Sequence, residues 1–431
     1  MNVTADIFSQ LRFRTSLMGD AGGTVRNHPG GGIYNLNETL QNRSPSLECK
    51  EAYLQIDFPA WDARLGIQRF AWGKLDSSQP NDVLNVKDYK NPILDDEADR
   101  KIGAPALSVT GYIPYSWYLV SDVRLMTVWI PIFVPFRFPD QDERWYPPLS
   151  RVPAQTRFDG LLVQNEGRFE NGTIPARTMQ NSEVGVRLAA VAGGSDFALY
   201  YFDGFGPAPS LDVHARGFLT PDLTSPLGLR AHSEVSVFPV FARMRSVGID
   251  FATSVLRTAV RAEASYVMGR LYPRNIRDII NNPQVGLLNP TLSVPTAELE
   301  VPVFLPPASV RRDGFEWGVG ADYSFGRTFA LMQVNQTVVL HNDVPLLISD
   351  METRFSMSIR RRLFDDRLEA EIAGVYGLQG VYGVAHPRLT YAFSDSIELR
   401  FGYVLIAGHE NSIVGQFRRN DEAYARIRVF L

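Results

Sequence analysis

Residue types that could do covalent chemistry are sparse in this sequence. Acyl transfer needs a nucleophile beside a general base, and the candidates for the base are the six histidines His28, His214, His232, His341, His386 and His409. Only His341 and His386 fall at the ends of predicted strands, and neither has a serine two residues further on. No nucleophile and base stand at a fixed spacing, so we expect no catalytic residue and no enzymatic activity.

Residues that hold metals, phosphates or cofactors are equally few. Cys49 is the only cysteine, which excludes an intrachain disulfide and a multi-cysteine metal site. The acidic run DDEADR (95–100) offers carboxylates to a divalent cation, but such runs are usually solvated loops, and we expect neither a metal nor a cofactor. With 43 basic and 47 acidic residues the net charge is only −4, so a nucleic-acid partner is not expected either.

The charged residues instead follow a spacing of two. Between 314 and 325, apolar residues occupy every odd position, and the even positions carry polar residues or glycine, including Glu316 and Asp322. Because side chains alternate across a strand, this pattern predicts a β-strand with one apolar and one charged face. The same alternation is present from residues 3–17 to residues 421–431, with full charges in the middle of the strands.

Every run of this kind, counted along the chain, gives about sixteen strands. They are 3–17, 47–58, 63–73, 104–113, 117–133, 182–193, 196–204, 240–254, 259–270, 314–325, 328–341, 350–363, 367–378, 383–393, 396–407 and 421–431. Residues 229–239 are a further candidate strand, which would make the number odd. The connections alternate between long segments and short turns such as Gly194-Ser195 and Gly326-Arg327.

An even number of strands of about ten residues, with long loops on one rim only, is typical of an outer-membrane barrel. The longest stretch without a charged residue, 279–297, is interrupted by asparagine and proline, and no membrane-spanning helix is expected. We therefore predict an all-β fold, a single closed antiparallel transmembrane β-barrel forming one domain over 1–431. Its turns would be periplasmic and short, and its long extracellular loops would be 18–46, 74–103, 134–181, 205–239 and 271–313.

The alternative is a soluble protein of one or two β-sandwiches, in which the apolar faces would pack against each other. Against it, nearly every strand carries charge on its second face, and compact domains rarely contain loops this long. Outward aromatic residues also collect at two levels, as the two membrane interfaces require. The short-turn level has Phe58, Tyr323, Phe325, Tyr391 and Phe393, and the long-loop level has Trp129, Tyr266, Phe315, Trp317 and Tyr376.

Several segments resemble a known family. They are VWIPIFVPFRFP (128–139), EVGVRLAAVAGGSDFALYYFDGF (183–205), RMRSVGIDFATSV (243–255), RAEASYVMGR (261–270) and NDEAYARIRVFL (420–431). Through these the chain resembles the alginate-export-like, porin-like barrels of Gram-negative outer membranes. The resemblance implies a single-chain channel or exporter located in the bacterial outer membrane.

The charged faces would line the lumen of such a barrel. The predicted pore-lining residues are Arg12, Arg14, Glu51, Asp57, Arg64, Asp122, Arg124, Glu183, Arg187, Asp250, Arg261, Glu263, Glu316, Asp322, Arg354, Glu369, Arg388, Arg400 and Arg428. Acids and arginines are nearly equal in number, so many should pair across strands. This balance does not favour a polyuronate, and we expect a channel for small polar or amphipathic solutes.

The loops decide whether the channel is open. Segments 134–181 and 271–313 are long and rich in proline, and we expect them to form a constriction, although an external cap is an alternative. The expected surroundings are outer-membrane lipid and lipopolysaccharide, with a homo-oligomer or an envelope partner on the side where the loops are short. The alternative function is a scaffold or sheath barrel that holds a partner protein in an envelope complex.

Overall fold

A computed structural model describes most of the chain. The described residues are 2–8, 10–20, 23–25, 40–42, 46–90, 92, 97–114, 118–139, 143–158, 161–170, 172–207, 210–222, 224–225, 228–281, 284–285 and 297–429. Within them the fold is almost entirely β. None of the helices in this part of the chain has the length and apolarity needed to cross a bilayer.

The strands are numbered in chain order. They are β1 (Asn2–Phe8), β2 (Leu11–Asp20), β3 (Gly23–Val25), β4 (Leu40–Asn42), β5 (Ser46–Phe58), β6 (Trp61–Gln68), β7 (Ala104–Ile113), β8 (Val120–Ile130), β9 (Gln155–Phe158), β10 (Leu161–Phe169), β11 (Glu183–Ala192), β12 (Ser195–Phe205), β13 (Ser210–Pro221), β14 (Leu229–Val240), β15 (Arg243–Val255), β16 (Thr258–Pro273), β17 (Gln284–Val285), β18 (Leu299–Phe304), β19 (Ser309–Phe325), β20 (Thr328–Val339), β21 (Met351–Leu363), β22 (Leu368–Gly377), β23 (Tyr382–Ser394), β24 (Ile397–Gly408) and β25 (Glu422–Val429). The helices are α1 (Glu97–Arg100), α2 (Ile276–Asn281) and the 3₁₀ turns Pro148–Ser150, Met179–Asn181 and Gly415–Phe417.

Seventeen of these strands form one antiparallel sheet, the main sheet. Leaving out β3, β4 and the strands of a second sheet, each strand pairs with the next one along the chain, from β1–β2 to β24–β25. Such a meander places every other connection at the same edge. All the long connections therefore share one edge and all the tight turns share the other, as the sequence predicts.

The strand number differs from the prediction because residues 3–17 are a hairpin, not one strand. β1 ends at Phe8 and β2 begins at Leu11, with a turn at Gln10. A register shift lets Val3 pair with Thr15 and Ala5 with Phe13. Odd-numbered residues thus pair with odd-numbered residues, and the alternation in the sequence continues through the turn.

The long connections fold into structure of their own. β9, β10, β13, β14, β17 and β18 form a six-stranded second sheet, the cap sheet, in which β10 and β14 run parallel. The candidate strand 229–239 is β14, so it belongs to this sheet and not to the main sheet. One face of the cap sheet packs on α2 through a buried cluster containing Val213, Val235, Val237, Ile276 and Ile280.

The apolar face of the main sheet is exposed. Leu65 is 60% exposed, Met332 65% and Ile427 70%, on three separated strands. The predicted aromatic residues Phe58, Tyr323, Phe325, Tyr391, Phe393, Tyr266, Phe315 and Tyr376 are exposed as well, while Trp129 and Trp317 are half-buried. A soluble sandwich would bury these faces against each other, so that alternative is wrong for the described part of the chain.

Candidate functional site

The other face of the main sheet carries ionic groups that pair along and across strands. Most of the residues predicted to line a pore lie in this network. The ion pairs are Arg12–Asp57 at 3.8 Å, Arg64–Asp62 at 3.9 Å, Glu51–Arg69 at 3.9 Å, Arg261–Asp322 at 2.5 Å, Glu316–Arg270 at 2.5 Å, Glu369–Arg362 at 3.3 Å, Arg388–Glu371 at 2.8 Å, Arg400–Glu398 at 3.8 Å and Arg428–Glu398 at 3.7 Å. We call this side the charged face.

The remaining predicted residues have other partners. Hydrogen bonds join Arg14 to the Tyr53 hydroxyl (3.4 Å), Arg187 to the Tyr200 hydroxyl (3.2 Å), Arg354 to the Thr337 hydroxyl (3.4 Å), the Tyr200 hydroxyl to Asp250, and the Phe205 amide to Glu183 (2.7 Å). Arg124 lies near the Tyr112 hydroxyl. Asp122 has a φ of 51° beside a register shift in the β8–β11 pairing, where the simple alternation that predicts its direction is interrupted.

The feature that the sequence does not predict is a segment that covers part of this face. Residues 69–86, the covering segment, follow β6 and contain no strand. Phe70, Trp72 and Leu84 are buried against apolar side chains of β7, β8 and β12, including Val128 and Phe202. The long connection after β6 is therefore not an external loop over its whole length, because its first half lies along the sheet.

A buried carboxylate holds the backbone of the covering segment. Glu263 of β16 is 3% exposed. Its oxygens accept hydrogen bonds from the amides of Leu75 (2.6 Å), Asn81 (3.3 Å) and Lys74. Three amides around one carboxylate give charge-assisted bonds that fix the segment at this point.

Neutral amide side chains extend the attachment to β20. The Gln333 side chain accepts hydrogen bonds from the amides of Asp76 (3.1 Å) and Ser77 (3.2 Å) and donates to the Ser77 carbonyl. Asn335 donates to the Ser78 carbonyl at 2.9 Å. An amide side chain can both donate to and accept from a passing backbone, so these two residues act as partners for a strandless segment.

Glycines on the charged face make room for the segment. A Cβ at Gly248 would overlap the Asn81 side chain, and one at Gly318 would lie 2.7 Å from Leu75. A Cβ at Gly185 would lie 2.7 Å from the Trp72 ring. Glycine inside a strand often marks a site where another chain segment approaches closely. The glycines and the two amides are the sequence signal that could have predicted this contact.

The base of the covering segment is closed by a buried ion pair. The Lys101 ammonium lies 2.7 Å from an Asp82 carboxylate oxygen and donates to the Phe70 carbonyl at 2.9 Å. Asp82 is 4% exposed and Lys101 7%. Burial raises the pKa of the Asp82 carboxyl above its usual range, and the attraction of Lys101 offsets only part of that rise. Lys101, near the end of the connection, thus binds both its beginning at Phe70 and its middle at Asp82 at a desolvated point.

The acidic run in the same connection is used for internal contacts. Glu97 pairs with Lys87, and Asp99 lies 3.5 Å from Arg428. Burial alone would raise the pKa of Glu97, but Lys87 outweighs it and holds that pKa below its usual value. Asp95 and Asp96 lie outside the described residues. Across the residues that are described, no cluster of His, Cys, Asp and Glu could hold a metal ion.

Segment 134–181 reaches across to the far strands of the main sheet. Trp145, 2% exposed, packs with Val404, Ile406 and Phe417. Beside it, Arg144 lies 3.3 Å from Glu422 and donates to the Asp421 carbonyl at 2.6 Å. Segment 271–313 contributes α2 and two strands of the cap sheet. Both segments that are predicted to form a constriction therefore have folded contacts at the long-loop edge.

The charged face also contains a cavity. It has a volume of about 200 Å³ and is lined by β6, β7, β8 and β11. Three arginines face it, Arg64, Arg124 and Arg187, together with Asp62 and Tyr112. Asp62 accepts a hydrogen bond from the Tyr112 hydroxyl. The space is polar, positively charged and suited to water and small solutes.

No protein-family model matches the sequence, and no curated protein matches it. Among solved structures, OccAB1 of Acinetobacter baumannii has a TM-score of 0.42 and 10% identity, covering 97% of this chain and 86% of that chain. OccAB4 of the same organism has a TM-score of 0.43 and 8% identity, covering 97% and 85%. The outer membrane channel DcaP of A. baumannii has a TM-score of 0.38 and 8% identity, covering 100% and 83%. Likenesses at this level assign neither a family nor a function to the chain.

Proposed function

We propose that the chain is a channel of the bacterial outer membrane that passes small polar or amphipathic solutes without chemistry. The supporting observation is the exposure of the apolar face of the main sheet, with the charged face turned to the covering segment and to paired ions. In water this arrangement would leave a large apolar surface unsatisfied. In a bilayer the same surface contacts acyl chains, and the backbone is satisfied by neighbouring strands.

The same argument favours closure into a single barrel domain over 1–431. An open sheet would leave unpaired backbone groups at β1 and β25 in hydrocarbon, which is costly. We infer that β1 and β25 are neighbours. Since consecutive strands of the main sheet alternate in direction, its first strand β1 and its seventeenth strand β25 run the same way, and the closing pair would be parallel.

Closure is tested by cysteine pairs in a Cys49→Ser background. One cysteine is placed in β1 and one in β25, and disulfide formation in isolated outer membranes is read from migration on a gel. We expect a cross-link for the register of a parallel pair, because a disulfide needs Cα atoms about 4.4–6.8 Å apart. Failure of every β1–β25 pair, with cross-links between β24 and β25 as the positive control, contradicts closure at this seam.

Conduction is tested in planar bilayers with the purified full chain. We expect stable ohmic steps, since a barrel of seventeen strands is wide enough to enclose an aqueous lumen. The covering segment and segments 134–181 and 271–313 would form the constriction. Trp145→Ala, which removes the contact with β24, should then raise the conductance. Silence from folded protein would contradict the channel and favour the scaffold or sheath alternative.

The surroundings follow from the same geometry. Outer-membrane lipid and lipopolysaccharide would contact the apolar face, and another copy or an envelope partner would contact the short-looped side formed by β19–β25. Native mass spectrometry from detergent tests this, and a monomer alone at every concentration contradicts it. The nearly balanced ion pairs of the charged face do not favour a polyuronate, the cargo suggested by the resemblance to alginate-export-like barrels.

A further inference from the structure

Three arginines lie on the outward side of the main sheet at one place on its long-loop edge. Arg243 and Arg245 belong to β15 and Arg311 belongs to β19, and we call these three the outer arginines. They are on the same side of their strands as the exposed Val247 and Phe315, because residues two positions apart point the same way. The outer arginines therefore point away from the charged face.

The outer arginines lie just beyond a row of exposed residues that is mostly aromatic. Neighbouring strands pair to form this row, which consists of Tyr201, Val247, Tyr266 and Phe315. Arg245 is two residues beyond the row, and the other two outer arginines are four residues beyond it.

These offsets place the outer arginines at the level of lipid headgroups. At about 3.3 Å per residue and a strand tilt of about 40°, two and four residues correspond to about 5 and 10 Å along the membrane normal. Aromatic residues of a membrane protein mark the interface. The headgroup layer beyond the hydrocarbon is about 5–7 Å thick on each side. Guanidiniums on flexible side chains at these heights can reach the polar part of a lipid.

The acids of this surface do not neutralise the outer arginines. Asp203 lies 2.5 Å from Arg243 and 3.0 Å from Arg245, so one carboxylate serves two guanidiniums. Arg311 donates to the Arg243 carbonyl at 3.2 Å and forms no ion pair with an acid of the described residues. Asp313, on the same side, accepts hydrogen bonds from a tyrosine hydroxyl and a backbone amide. Most of the five donors of Arg311 are therefore available to an external anion.

The cluster is local to this part of the sheet. On β21–β24, the described outward positions nearest the long-loop edge are apolar and exposed, as Met351 and Leu378 are. At the tight-turn edge, the outward residues at the ends of β15 and β19 are Val255 and Phe325. A cluster confined to one place is what a specific binding site requires, and a general ring of positive charge would not show it.

Phosphate attached to a lipid is the chemistry that fits this surface. Guanidiniums bind phosphate oxygens through paired hydrogen bonds, and basic clusters at a membrane surface attract anionic headgroups. A free anion would use the arginines but not the apolar row beside them. The long loops of an outer-membrane barrel are extracellular, and the lipid on that side is lipopolysaccharide, whose lipid A part carries both phosphates and acyl chains.

We propose that the outer arginines bind the phosphate groups of lipid A, with its acyl chains against the row that contains Tyr266 and Phe315. The site assigns one lipid partner to one place on the barrel, and it rests on the proposed location in the outer membrane. It does not rest on conduction, so the two can be tested separately.

The test uses the full chain in detergent with EDTA, which prevents divalent cations from bridging phosphates. Native mass spectrometry should show saturable binding of lipid A with two phosphates and at least fivefold weaker binding of monophosphoryl lipid A. The double variant Arg245→Gln, Arg311→Gln should weaken lipid A binding at least fivefold. The matched control Arg361→Gln, an exposed outward arginine at the tight-turn end of β21, should leave it unchanged. Equal binding of the two lipids, or full binding by the double variant, overturns the proposal.

A charge change of the opposite sign decides the matter if the double variant does not fold. Asp203→Asn removes the carboxylate shared by Arg243 and Arg245 and should tighten lipid A binding at least twofold. Unchanged or weaker binding by folded Asp203→Asn overturns the proposal, as does binding of phosphatidylglycerol as tight as that of lipid A. Silent bilayers together with intact lipid A binding would contradict the channel and support this site.

Discussion

Two parts of the charged face satisfy their polar groups in different ways. On β15–β20 the strands present glycines, neutral amides and two buried carboxylates, Asp250 and Glu263, and a separate segment of the chain lies on them. On β21–β25 the strands present arginines and acids that pair with each other, such as Arg388 with Glu371 at 2.8 Å. The first part is covered by chain, and most of the second is covered only by its own side chains.

The difference shows that the same alternation of apolar and polar residues is compatible with two kinds of charged face, one covered by a segment of the chain and one made of paired ionic side chains. Backbone groups that pass over a sheet need acceptors and space, which amides, carboxylates and glycines provide. Side chains that face water need only opposite charges at neighbouring positions. The covered part should therefore be cooperative and sensitive to single substitutions, while the paired part should tolerate them.

The largest difference is expected between a buried and an exposed ion pair. Lys101→Met leaves the desolvated Asp82 carboxylate without its partner and should lower the free energy of unfolding by about 3–5 kcal/mol. Arg362→Met removes the exposed partner of Glu369 and should cost less than about 1 kcal/mol. Urea unfolding in detergent, followed by tryptophan fluorescence, measures both. Equal losses would contradict the comparison.

The Lys101→Met loss should also depend on pH. Burial raises the pKa of the Asp82 carboxyl in the folded protein, so the folded state binds a proton more tightly than the unfolded state does. The contribution of this group to stability then falls as pH rises from the unfolded value of about 3.9 through the folded pKa. The loss should be largest at neutral pH and should shrink as Asp82 protonates. A loss that grows at low pH would contradict this.

The next effect concerns the carboxylate that holds the covering segment. Glu263→Leu leaves three amides without an acceptor, and we expect a loss of about 2–4 kcal/mol, since the segment can partly move back to water. The freed segment should also change the mean single-channel conductance and its noise. Glu369→Leu, at one exposed ion pair of the other part, is the control and should change neither by much. An unaltered conductance for folded Glu263→Leu would contradict the role of the segment.

A smaller effect is expected from filling the space under the segment. Gly318→Leu would push against Leu75 and Asn335, at a cost of about 1–3 kcal/mol. Gly383→Leu, on the apolar face, meets only Val375 and Tyr376 atoms near 4 Å and should cost less. Limited proteolysis of residues 69–86 in folded protein should increase only for Gly318→Leu. Equal protection in both variants would show that the glycine does not position the segment.

Much of this fold could be predicted from the sequence, for a physical reason. In a strand with one face toward lipid and the other toward water, apolar and polar residues must alternate along the whole length. For this reason β21 (Met351–Leu363) and β24 (Ile397–Gly408) lie within a few residues of the predicted strands 350–363 and 396–407. The predicted all-β antiparallel architecture is confirmed. The hairpin of β1 and β2 could not be predicted by the same rule, since its register preserves the alternation.

The candidate site could be predicted only in part. The alternation of odd and even positions identifies the residues of the charged face, because the side to which a residue points follows from its position in the strand. The same rule does not identify the covering segment, because the apolar residues of that segment do not recur at a regular spacing. Its partners also lie far away in the sequence, as the hydrogen bond between Ser77 and Gln333 shows. The sequence assigns the constriction to 134–181 and 271–313 because of their length and prolines. The shorter segment 69–86, which the sequence does not single out, lies on the charged face.

The smallest effect is expected from substituting two arginines of the charged face, only one of which is bonded to the covering segment. Arg261 lies 2.6 Å from Asp76 of the covering segment and 2.5 Å from Asp322. Arg428 lies 3.5 Å from Asp99 and 3.7 Å from Glu398, and all three side chains are about one-third exposed or less. Arg428→Gln should change stability by less than about 1 kcal/mol and should shift the reversal potential in a salt gradient slightly toward cations. Arg261→Gln removes the same charge but also an attachment of the segment, so it should lower stability more. If both variants shifted the potential equally and neither altered stability, the covering segment would be held without Arg261, and the contrast between the two linings would rest on Glu263 and the amides alone.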